Sequence, residues 1–347
     1  MSVTFFLGVD VSKSSLAVTL IDQNEKILWS NKSIANTTAG FEKLALETLK
    51  HASKKCNGQD FTVFLGMEST GVYGEQLSYF FHDHNPEKRF VVYVLNPMAV
   101  RSYAKASLEL NKNDSTDARV IASYLSIAVA RKQVQPWSAP PEEARHARAL
   151  SRRRGELVHL LTSEKNRLEK LENMNSPSEE VLKSVEEHIQ YLQDAIEALE
   201  KDISEHISRH PGLKRDNDFL QSIPGIGEVT STAIQGEAGD LSQFATVKQF
   251  TSFVGLAPVE YSSGSSVKKH SRISKRGNSR IRQYLYMATM IATRSNPVIR
   301  SFYERLLNRG KCKKVALVAC MRKMLHLIWG VLKTQSFFDP QHAQLNR

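Results

Sequence analysis

The sequence predicts an α/β domain followed by a chain that is mainly helical. Three observations support this: short apolar runs alternate with helical patterns only up to about residue 97, two long amphipathic helices follow a proline-rich linker, and basic residues collect in the last third. With 347 residues, the chain is long enough for two or three domains with buried cores. Its 41% of hydrophobic and 24% of charged residues exclude wholesale disorder.

The first part of the chain is predicted as three consecutive strands followed by alternating helices and strands. The predicted strands span residues 5–11, 16–21, 26–30, 61–67 and 90–95, and the predicted helices span 38–52, 73–82 and 114–131. The close spacing of the first three strands favours a meander. This order of elements is that of an RNase H-like domain, which we place at residues 1–131.

A linker and two long amphipathic helices are predicted for residues 132–210. Pro136, Pro140 and Pro141 mark the linker and its end. The first helix has apolar residues in a compatible register, with Arg154 and Glu164 in polar positions of the seam: Leu150, Leu157, Leu161, Leu168 and Leu171. In the second helix, apolar residues recur in steps of three and four: Leu182, Val185, Ile189, Leu192, Ile196, Leu199 and Ile203. This pattern, with a turn at 173–177, predicts an antiparallel coiled-coil hairpin. Such hairpins commonly mediate assembly, but an internal two-helix spacer also fits.

Residues 211–347 are predicted as a third domain that contains most of the excess positive charge. The chain has a formal net charge of +11, and residues 261–330 alone contain sixteen Lys and Arg residues and one acid, Glu304. This local excess indicates a polyanionic partner. Gly225 and Gly227 resemble the turn of a helix-hairpin-helix, whose backbone amides hold a DNA phosphate, but a tight turn between helices explains them equally well.

Cysteine usage and hydropathy indicate a reducing compartment and no membrane span. Cys56, Cys312 and Cys320 are odd in number and lack metal-binding spacing, so we expect neither a disulfide framework nor a zinc site. No signal-peptide pattern precedes the first strand, and two cations interrupt the apolar stretch 315–332. We therefore expect a cytoplasmic or nucleoid-associated protein.

Four carboxylates are candidates for one metal site. Asp10 lies at the end of the first strand and Glu68 follows the fourth, so both lie at strand termini of the predicted sheet. Asp114 and Asp117 are three residues apart, which places them on one face of the predicted helix. Converging carboxylates need a neutralising cation, and hard oxygen ligands select Mg²⁺ or Mn²⁺, two of which support phosphoryl transfer. Ordinary alternatives are a helix N-cap at Asp114, a first-turn acid at Asp117 and a solvated strand end at Glu68.

A segment that contains two adjacent serines directly precedes the basic run. Residues 256–264 have the sequence LAPVEYSSG, and the cations that follow are Lys268, Lys269, Arg272, Lys275, Arg276, Arg280 and Arg282. A serine that attacks a phosphodiester needs an exposed turn and nearby positive charge, and this segment offers both. By composition alone, a plain loop beside phosphate contacts is the commoner explanation.

Together these motifs resemble the DEDD transposases of insertion sequence family 110, relatives of the pilin-gene invertase. The acidic blocks are GVDVSK around Asp10, MESTG around Glu68 and KNDSTDA around Asp114 and Asp117. The family pattern Leu-Gly-Leu-x-Pro-x4-Ser-Gly, followed by Ile-x-Lys-x-Gly, is matched by VGLAPVEYSSG and ISKRG, with Val254 in place of the leading leucine. The resemblance spans residues 4 to about 330, and motif order and spacing both match.

The resemblance implies a RuvC-like domain joined through a coiled coil to a serine-bearing transposase domain. It implies that Asp10, Glu68, Asp114 and Asp117 bind metal ions and that Ser263 becomes covalently joined to cleaved DNA. It also implies a bridge RNA that pairs with donor and target DNA, and a homo-oligomer, a dimer assembling to a tetramer, with the active site built between protomers.

Three functions are compatible with the sequence. The first is an RNA-guided DNA recombinase, which leaves a protein–DNA adduct. The second is a RuvC-like junction nuclease in which Ser263 is structural, and it leaves only free DNA ends. The third is a non-catalytic nucleic-acid-binding scaffold, which leaves neither product. We expect the recombinase, and covalency is the property that separates the three.

Overall fold

Short apolar segments in the first hundred residues build a five-stranded mixed sheet in a computed structural model of the chain. Its strands are β1 (Val3–Val11), β2 (Ser15–Ile21), β3 (Ile27–Ala35), β4 (Phe61–Glu68) and β5 (Phe90–Leu95). The strands β1, β2 and β3 form an antiparallel meander, and β4 and β5 run parallel to β1 in the order β3-β2-β1-β4-β5. The predicted α/β class of this part of the chain is confirmed.

The structure describes residues 3–69, 71–107, 114–239, 241, 244–263 and 267–341, without the side chains of 114–115, 260–263 and 267–271. These residues divide into two units, Met1–Ala139 and Pro140–Arg347. The three-part division at 131/132 and 210/211 stays a prediction.

Helices cover both faces of the sheet. They are α1 (Thr38–Cys56), α2 (Glu75–Asp83), α3 (Pro97–Ala106) and α4 (Asp114–Ala130), with 3₁₀ turns at Gly71–Gly74 and Pro86–Lys88. One face packs with α1 and α2 around Leu44 and Phe81, and the other packs with α4 around Leu125. A strand covered on both faces is apolar throughout, which explains the continuously buried run from Phe5 to Val9.

Helix α3 was not predicted from the sequence. Asn96 and Pro97 directly follow the predicted strand 90–95, and they start this helix. The Asn96 side chain accepts a hydrogen bond from the Met98 N–H at 2.9 Å, and proline suits the first helical position because it has no N–H to satisfy.

Two helices of 31 residues each, α5 (Glu142–Glu172) and α6 (Glu179–Arg209), pack antiparallel in the second unit. The direction follows from three contacts: His206 Nε2 to the Glu143 carbonyl oxygen at 2.8 Å, Arg154 to Glu200 at 2.6 Å, and His188 to Glu164 at 3.5 Å. Leu157, Leu192 and Ile196 are buried between the helices. The polar residues predicted within the apolar seam, Arg154 and Glu164, thus have partners on the opposite helix.

The rest of the second unit is mainly helical, as predicted. It contains α7 (Pro211–Gln221), α8 (Glu228–Ala238), α9 (Val247–Val254), the strands β6 (Pro258–Ser263) and β7 (Val267–Ile273), α10 (Ser279–Ser295), α11 (Pro297–Asn308) and α12 (Lys313–Thr334). In the part of the chain that the structure describes, α12 is the one helix with the length and hydropathy of a membrane span. Half of that stretch is buried, and Cys320, Met324 and Ile328 lie in the core of the unit, as in a core helix.

Candidate functional site

Two of the predicted acids lie side by side at one edge of the sheet. Val9 of β1 pairs with Met67 of the parallel strand β4, so Asp10 and Glu68 are the next residues on neighbouring strands. The carboxyl ends of parallel strands meet at the same edge, and both residues are half-buried there.

A close approach of α4 to β1 brings a third acid to this edge. A Cβ atom added at Gly8 would overlap the Ala118 carbonyl oxygen and would lie 2.5 Å from the Ala122 nitrogen. The helix backbone therefore rests directly on the strand, which only glycine allows. Asp117 precedes Ala118 and is half-buried at the same end of the strand.

The charges of two acids and one arginine act on Glu68. Burial raises the pKa of Glu68, the positive charge of Arg101 on α3 opposes this rise, and the negative charges of Asp10 and Asp117 add to it. On balance the pKa lies above its ordinary value. Asp10 and Asp117 therefore make the ionised form of Glu68 less favourable, and a cation nearby would favour it.

Divalent cations suit the chemistry of this edge. Its donors are carboxylate oxygens, which Mg²⁺ and Mn²⁺ prefer, and a cation would relieve the repulsion around Glu68. Within the described residues, no three His, Cys, Asp or Glu side chains lie close enough together to hold a metal ion. Asp114 is the first residue of α4, and its side chain, predicted as the fourth ligand, lies outside the description.

The predicted nucleophile lies on a two-stranded ribbon formed by β6 and β7. Pro258 pairs with Ile273 at the base of this ribbon, and Ser263 pairs with Val267 at its open end. The side chain of Ser263 and residues 264–266 lie outside the description. The sequence indicated an exposed loop here. Polar ribbon strands lack the alternation of apolar residues that predicts a strand, which is why the ribbon was missed.

The base of the ribbon is fixed to α9 and to the start of α10. Backbone hydrogen bonds join Ser274 to Ala257 at 2.9 Å, Lys275 to Gly255 at 3.1 Å and Asn278 to Phe253 at 2.8 Å. Gly277 has a φ of +152°, and an added Cβ would overlap the Phe253 carbonyl oxygen. Only glycine fits this close approach, so the Lys-x-Gly motif after the ribbon has a structural cause.

The predicted nucleic-acid-binding residues divide into several groups. Arg272, Lys275, Arg276 and Arg280 are exposed, while the side chains of Lys268 and Lys269 lie outside the description. Arg282, by contrast, donates to the Val254 carbonyl at 2.8 Å, and burial lowers its pKa, so its contacts are within the protein.

The two glycines of the predicted helix-hairpin-helix turn have different surroundings. Gly225 has a φ of +103°, and an added Cβ would lie 2.7 Å from the Ala292 side chain of α10. Gly227 is exposed, with open space where a Cβ would be. Gly225 is thus required by packing between helices, and phosphate binding by this turn stays a prediction.

Two features of the sites were missed in the sequence. Arg101 lies on the unpredicted helix α3, so its position beside Glu68 had no signal. Glu237 lies on α8, a helix buried from Ser231 to its end, and its side chain binds Arg152 and Asn278. An acid within a sequence of small and apolar residues was the available signal, because a buried carboxylate requires a cation.

Two family models match the chain. A model of DEDD transposases of the IS110 type matches residues 7–172, and a model described as transposase of the IS116/IS110/IS902 family matches residues 217–304. The first match contains Asp10, Glu68 and Asp117, and the second contains the ribbon with Ser263.

Similar proteins extend this agreement over nearly the whole chain. The pilin gene-inverting protein of Moraxella bovis is 29% identical over 335 residues, which cover 96% of this chain and 97% of that protein. The transposase for insertion sequence element IS1111A of Coxiella burnetii is 23% identical and covers 96% of this chain and 90% of its own. An uncharacterized protein of insertion element IS110 from Streptomyces coelicolor is 29% identical over 41% of this chain and 34% of its own.

Proposed function

The chain belongs to the IS110-type family of DEDD transposases and is a DNA-processing enzyme, and from this premise we propose that it is a bridge-RNA-guided DNA recombinase. The observation that carries the proposal is that Asp10 and Glu68 follow a pair of residues on neighbouring parallel strands and that the contact of α4 with Gly8 brings Asp117 to the same end. A meander of three strands followed by parallel strands supports an RNase H-like, RuvC-like assignment for the first unit.

The proposed metal ligands are Asp10, Glu68, Asp114 and Asp117. Bound Mg²⁺ or Mn²⁺ would activate the attacking oxygen and stabilise the leaving oxygen of a phosphodiester. Arg101 partly balances the charge of Glu68 within the protein itself. A carboxylate binds a metal ion in its ionised form, and the raised pKa of Glu68 opposes its ionisation in the absence of a cation.

The proposed covalent step uses Ser263. Its hydroxyl gives up a proton while its oxygen forms a bond to phosphorus, and the bond from phosphorus to one sugar oxygen breaks. That sugar oxygen takes up a proton and leaves as a hydroxyl. In the rejoining step, the hydroxyl of another strand attacks the phosphoserine and releases the serine. The exposed cations after the ribbon stabilise the charge that develops on the phosphate.

The partners and the assembly of the protein belong to the same proposal. A bridge RNA pairs with donor and target DNA, and the carboxylates of one protomer activate Ser263 of another within a dimer or tetramer. The antiparallel helices α5 and α6, as a coiled coil, supply a surface for such assembly. The relation to a pilin gene-inverting protein makes inversion a possible outcome of recombination besides insertion. Because DNA is the substrate, we place the protein in the cytoplasm at the nucleoid.

The test is to trap the protein–DNA adduct. The protein is incubated with RNA that copurifies with it, Mg²⁺ and labelled DNA that carries the ends of its element, and is then denatured. We expect a labelled adduct in the wild type and in Ser262→Ala, and none in Ser263→Ala or Asp117→Asn. Ser262→Ala is the matched control, because it removes the neighbouring hydroxyl on the same strand.

Each other outcome overturns a defined part of the proposal. An adduct that survives Ser263→Ala shows that another residue is the nucleophile. Cleaved ends without any adduct identify a junction nuclease, and binding without cleavage identifies a scaffold.

A further inference from the structure

A buried acid of the second unit is surrounded by arginines. The side chain of Glu237 is only 5% exposed. It accepts hydrogen bonds from Arg152 Nε at 2.6 Å and Nη2 at 2.9 Å, and from Asn278 Nδ2 at 2.8 Å. Arg280 Nε lies 4.0 Å from the same carboxylate, and Arg148 donates to the carbonyl oxygen of Gly236.

Positive charge exceeds negative charge in this cluster. Burial alone would raise the pKa of Glu237, but the hydrogen bonds from Arg152 and Asn278 and the charges of Arg152 and Arg148 lower it on balance. The carboxylate is therefore ionised at neutral pH and neutralises one of the three arginines. The surplus is far larger than the anchoring of one carboxylate requires.

Arg280 contributes little to holding the fold together. It donates no hydrogen bond to any residue that the structure describes, and its distance from Glu237 is too long for one. Its side chain is 44% exposed and that of Arg152 is 43% exposed, so both guanidinium groups reach solvent. Arg152 is held in one orientation by its two parallel bonds, which is the preorganised state that phosphate recognition favours.

We propose that Arg152 and Arg280 bind a backbone phosphate of duplex DNA, with Glu237 as the residue that positions Arg152. This inference rests on the proposed function, because it assigns a contact for the DNA that the ribbon is proposed to cleave. Asn278 and Arg280 lie at the start of α10, which the hydrogen bond from Asn278 to Phe253 joins to the base of the ribbon, and Ser263 lies five residues beyond that base at Pro258. At about 3.3 Å per residue, β6 spans at most about 17 Å from Pro258 to Ser263.

Salt-dependent DNA binding tests this site. The Ser263→Ala protein, which cannot form the proposed adduct, serves as background, and the probe is a fluorescein-labelled DNA duplex of arbitrary sequence. Binding is followed by fluorescence anisotropy over a series of KCl concentrations. Arg280→Gln leaves the bonds between Glu237, Arg152 and Asn278 intact, so folding is preserved. The matched control is Arg153→Gln, which removes an exposed arginine next to Arg152 that is paired with Glu156.

We expect Arg280→Gln to weaken binding and to reduce the slope of log affinity against log salt by about 0.9, the value for one lost phosphate contact. The charge-balanced pair Arg152→Gln with Glu237→Gln is expected to lower affinity in the same way. Equal slopes for Arg280→Gln and Arg153→Gln would overturn the inference. A change seen with a double-stranded RNA probe but not with DNA would overturn it too, since RNA would then occupy the site.

This result is independent of the serine chemistry. If the adduct test fails while Arg280→Gln still flattens the salt dependence, the phosphate site stands and the covalent mechanism falls. If the adduct forms but the slopes are equal, the mechanism stands and the phosphate site falls.

Discussion

Glu68 is the residue whose charge state decides whether the acidic edge can act. It is half-buried, and the neighbouring charges of Asp10 and Asp117 make its ionised form less favourable, while Arg101 supports it. A group with a raised pKa in the folded state opposes folding once it is ionised. The site therefore carries a cost in stability at neutral pH, as functional sites commonly do.

Glu68→Gln is expected to increase the free energy of unfolding at neutral pH and to abolish DNA cleavage. The raised pKa favours the folded state below the ordinary pKa of a glutamate, and this contribution is lost as the pH rises through the folded-state value. The gain from Gln should therefore shrink as the pH falls. Urea unfolding of both proteins at neutral and acidic pH measures this difference in the free energy of unfolding.

An exposed acid of the same unit provides the comparison. Glu42 lies on the solvent side of α1, and Glu42→Gln should change neither the stability nor the cleavage. If Glu68→Gln were less stable than the wild type at neutral pH, the predicted cost of burying the ionised Glu68 would be refuted.

The sequence predicted the acidic residues of this edge but not the cations around them. Asp10, Glu68 and Asp117 stand at strand ends and in a helical first turn, which are features of local sequence. Arg101 and Arg152 owe their roles to tertiary contacts with Glu68 and Glu237, and such contacts leave no periodic signal.

At the scale of elements, the contact of α4 with β1 sets the position of Asp117. The strand provides a glycine where the helix backbone crosses it, and Ala118 and Ala122 are the helix residues at the crossing. Small residues on both sides allow the close approach. A larger side chain at the crossing would separate the two elements and move the acid away from its neighbours.

Gly8→Ala is therefore expected to cost about 2 kcal/mol of stability, within the range for overpacking, and to reduce cleavage strongly. Thermal unfolding and the cleavage assay measure the two effects. Gly330→Ala is the control, because Gly330 lies within α12 and no atom lies within 4 Å of an added Cβ. Alanine there should stabilise the helix by about 0.5–1 kcal/mol. A Gly8→Ala protein with wild-type activity would contradict the assigned crossing.

Apolar periodicity predicted most elements up to residue 210, while residues 211–347 were predicted as mainly helical without individual bounds. There are physical reasons why helix α3 and the ribbon were not predicted. Helix α3 follows an Asn-Pro pair that equally marks a turn, so local sequence leaves its choice open. The ribbon is polar on both strands, and its base is held by contacts with α9 and α10 that lie outside the local pattern. Both elements depend on tertiary context more than on their own sequence.

At the scale of the molecule, two units with separate cores carry the two halves of the proposed chemistry. The carboxylates belong to the unit Met1–Ala139 and Ser263 belongs to the unit Pro140–Arg347. A substitution in one core therefore leaves the other core intact. The oligomeric state had no signal beyond the apolar seam, since the same seam also serves packing within one chain.

Mixing two inactive variants tests the sharing of active sites between protomers. Asp117→Asn and Ser263→Ala are each expected to be inactive, and their coexpression is expected to restore about a quarter of wild-type recombination through randomly mixed dimers. Half of the dimers would be mixed, and half of the sites in each would be intact.

The control for this experiment is a mixture of Asp10→Asn and Asp117→Asn. Each variant has a defect in its own group of carboxylates, so no pairing of protomers contains an intact group. No recovery in the first mixture would mean that each protomer uses its own carboxylates and serine.

The paired helices α5 and α6 also give the molecule an adjustable arm. Their antiparallel packing aligns the heptad before the turn, 166–172, with the heptad after it, 179–185. Removing or duplicating both heptads together changes the reach of the arm by about 10 Å and preserves the register of every pair nearer its base, such as Arg154 with Glu200. The hydrogen bonds between Arg152, near the base of the arm, and Glu237 would be unchanged. Insertion or deletion of one heptad in each helix therefore changes the length of the hairpin while the rest of its packing is kept.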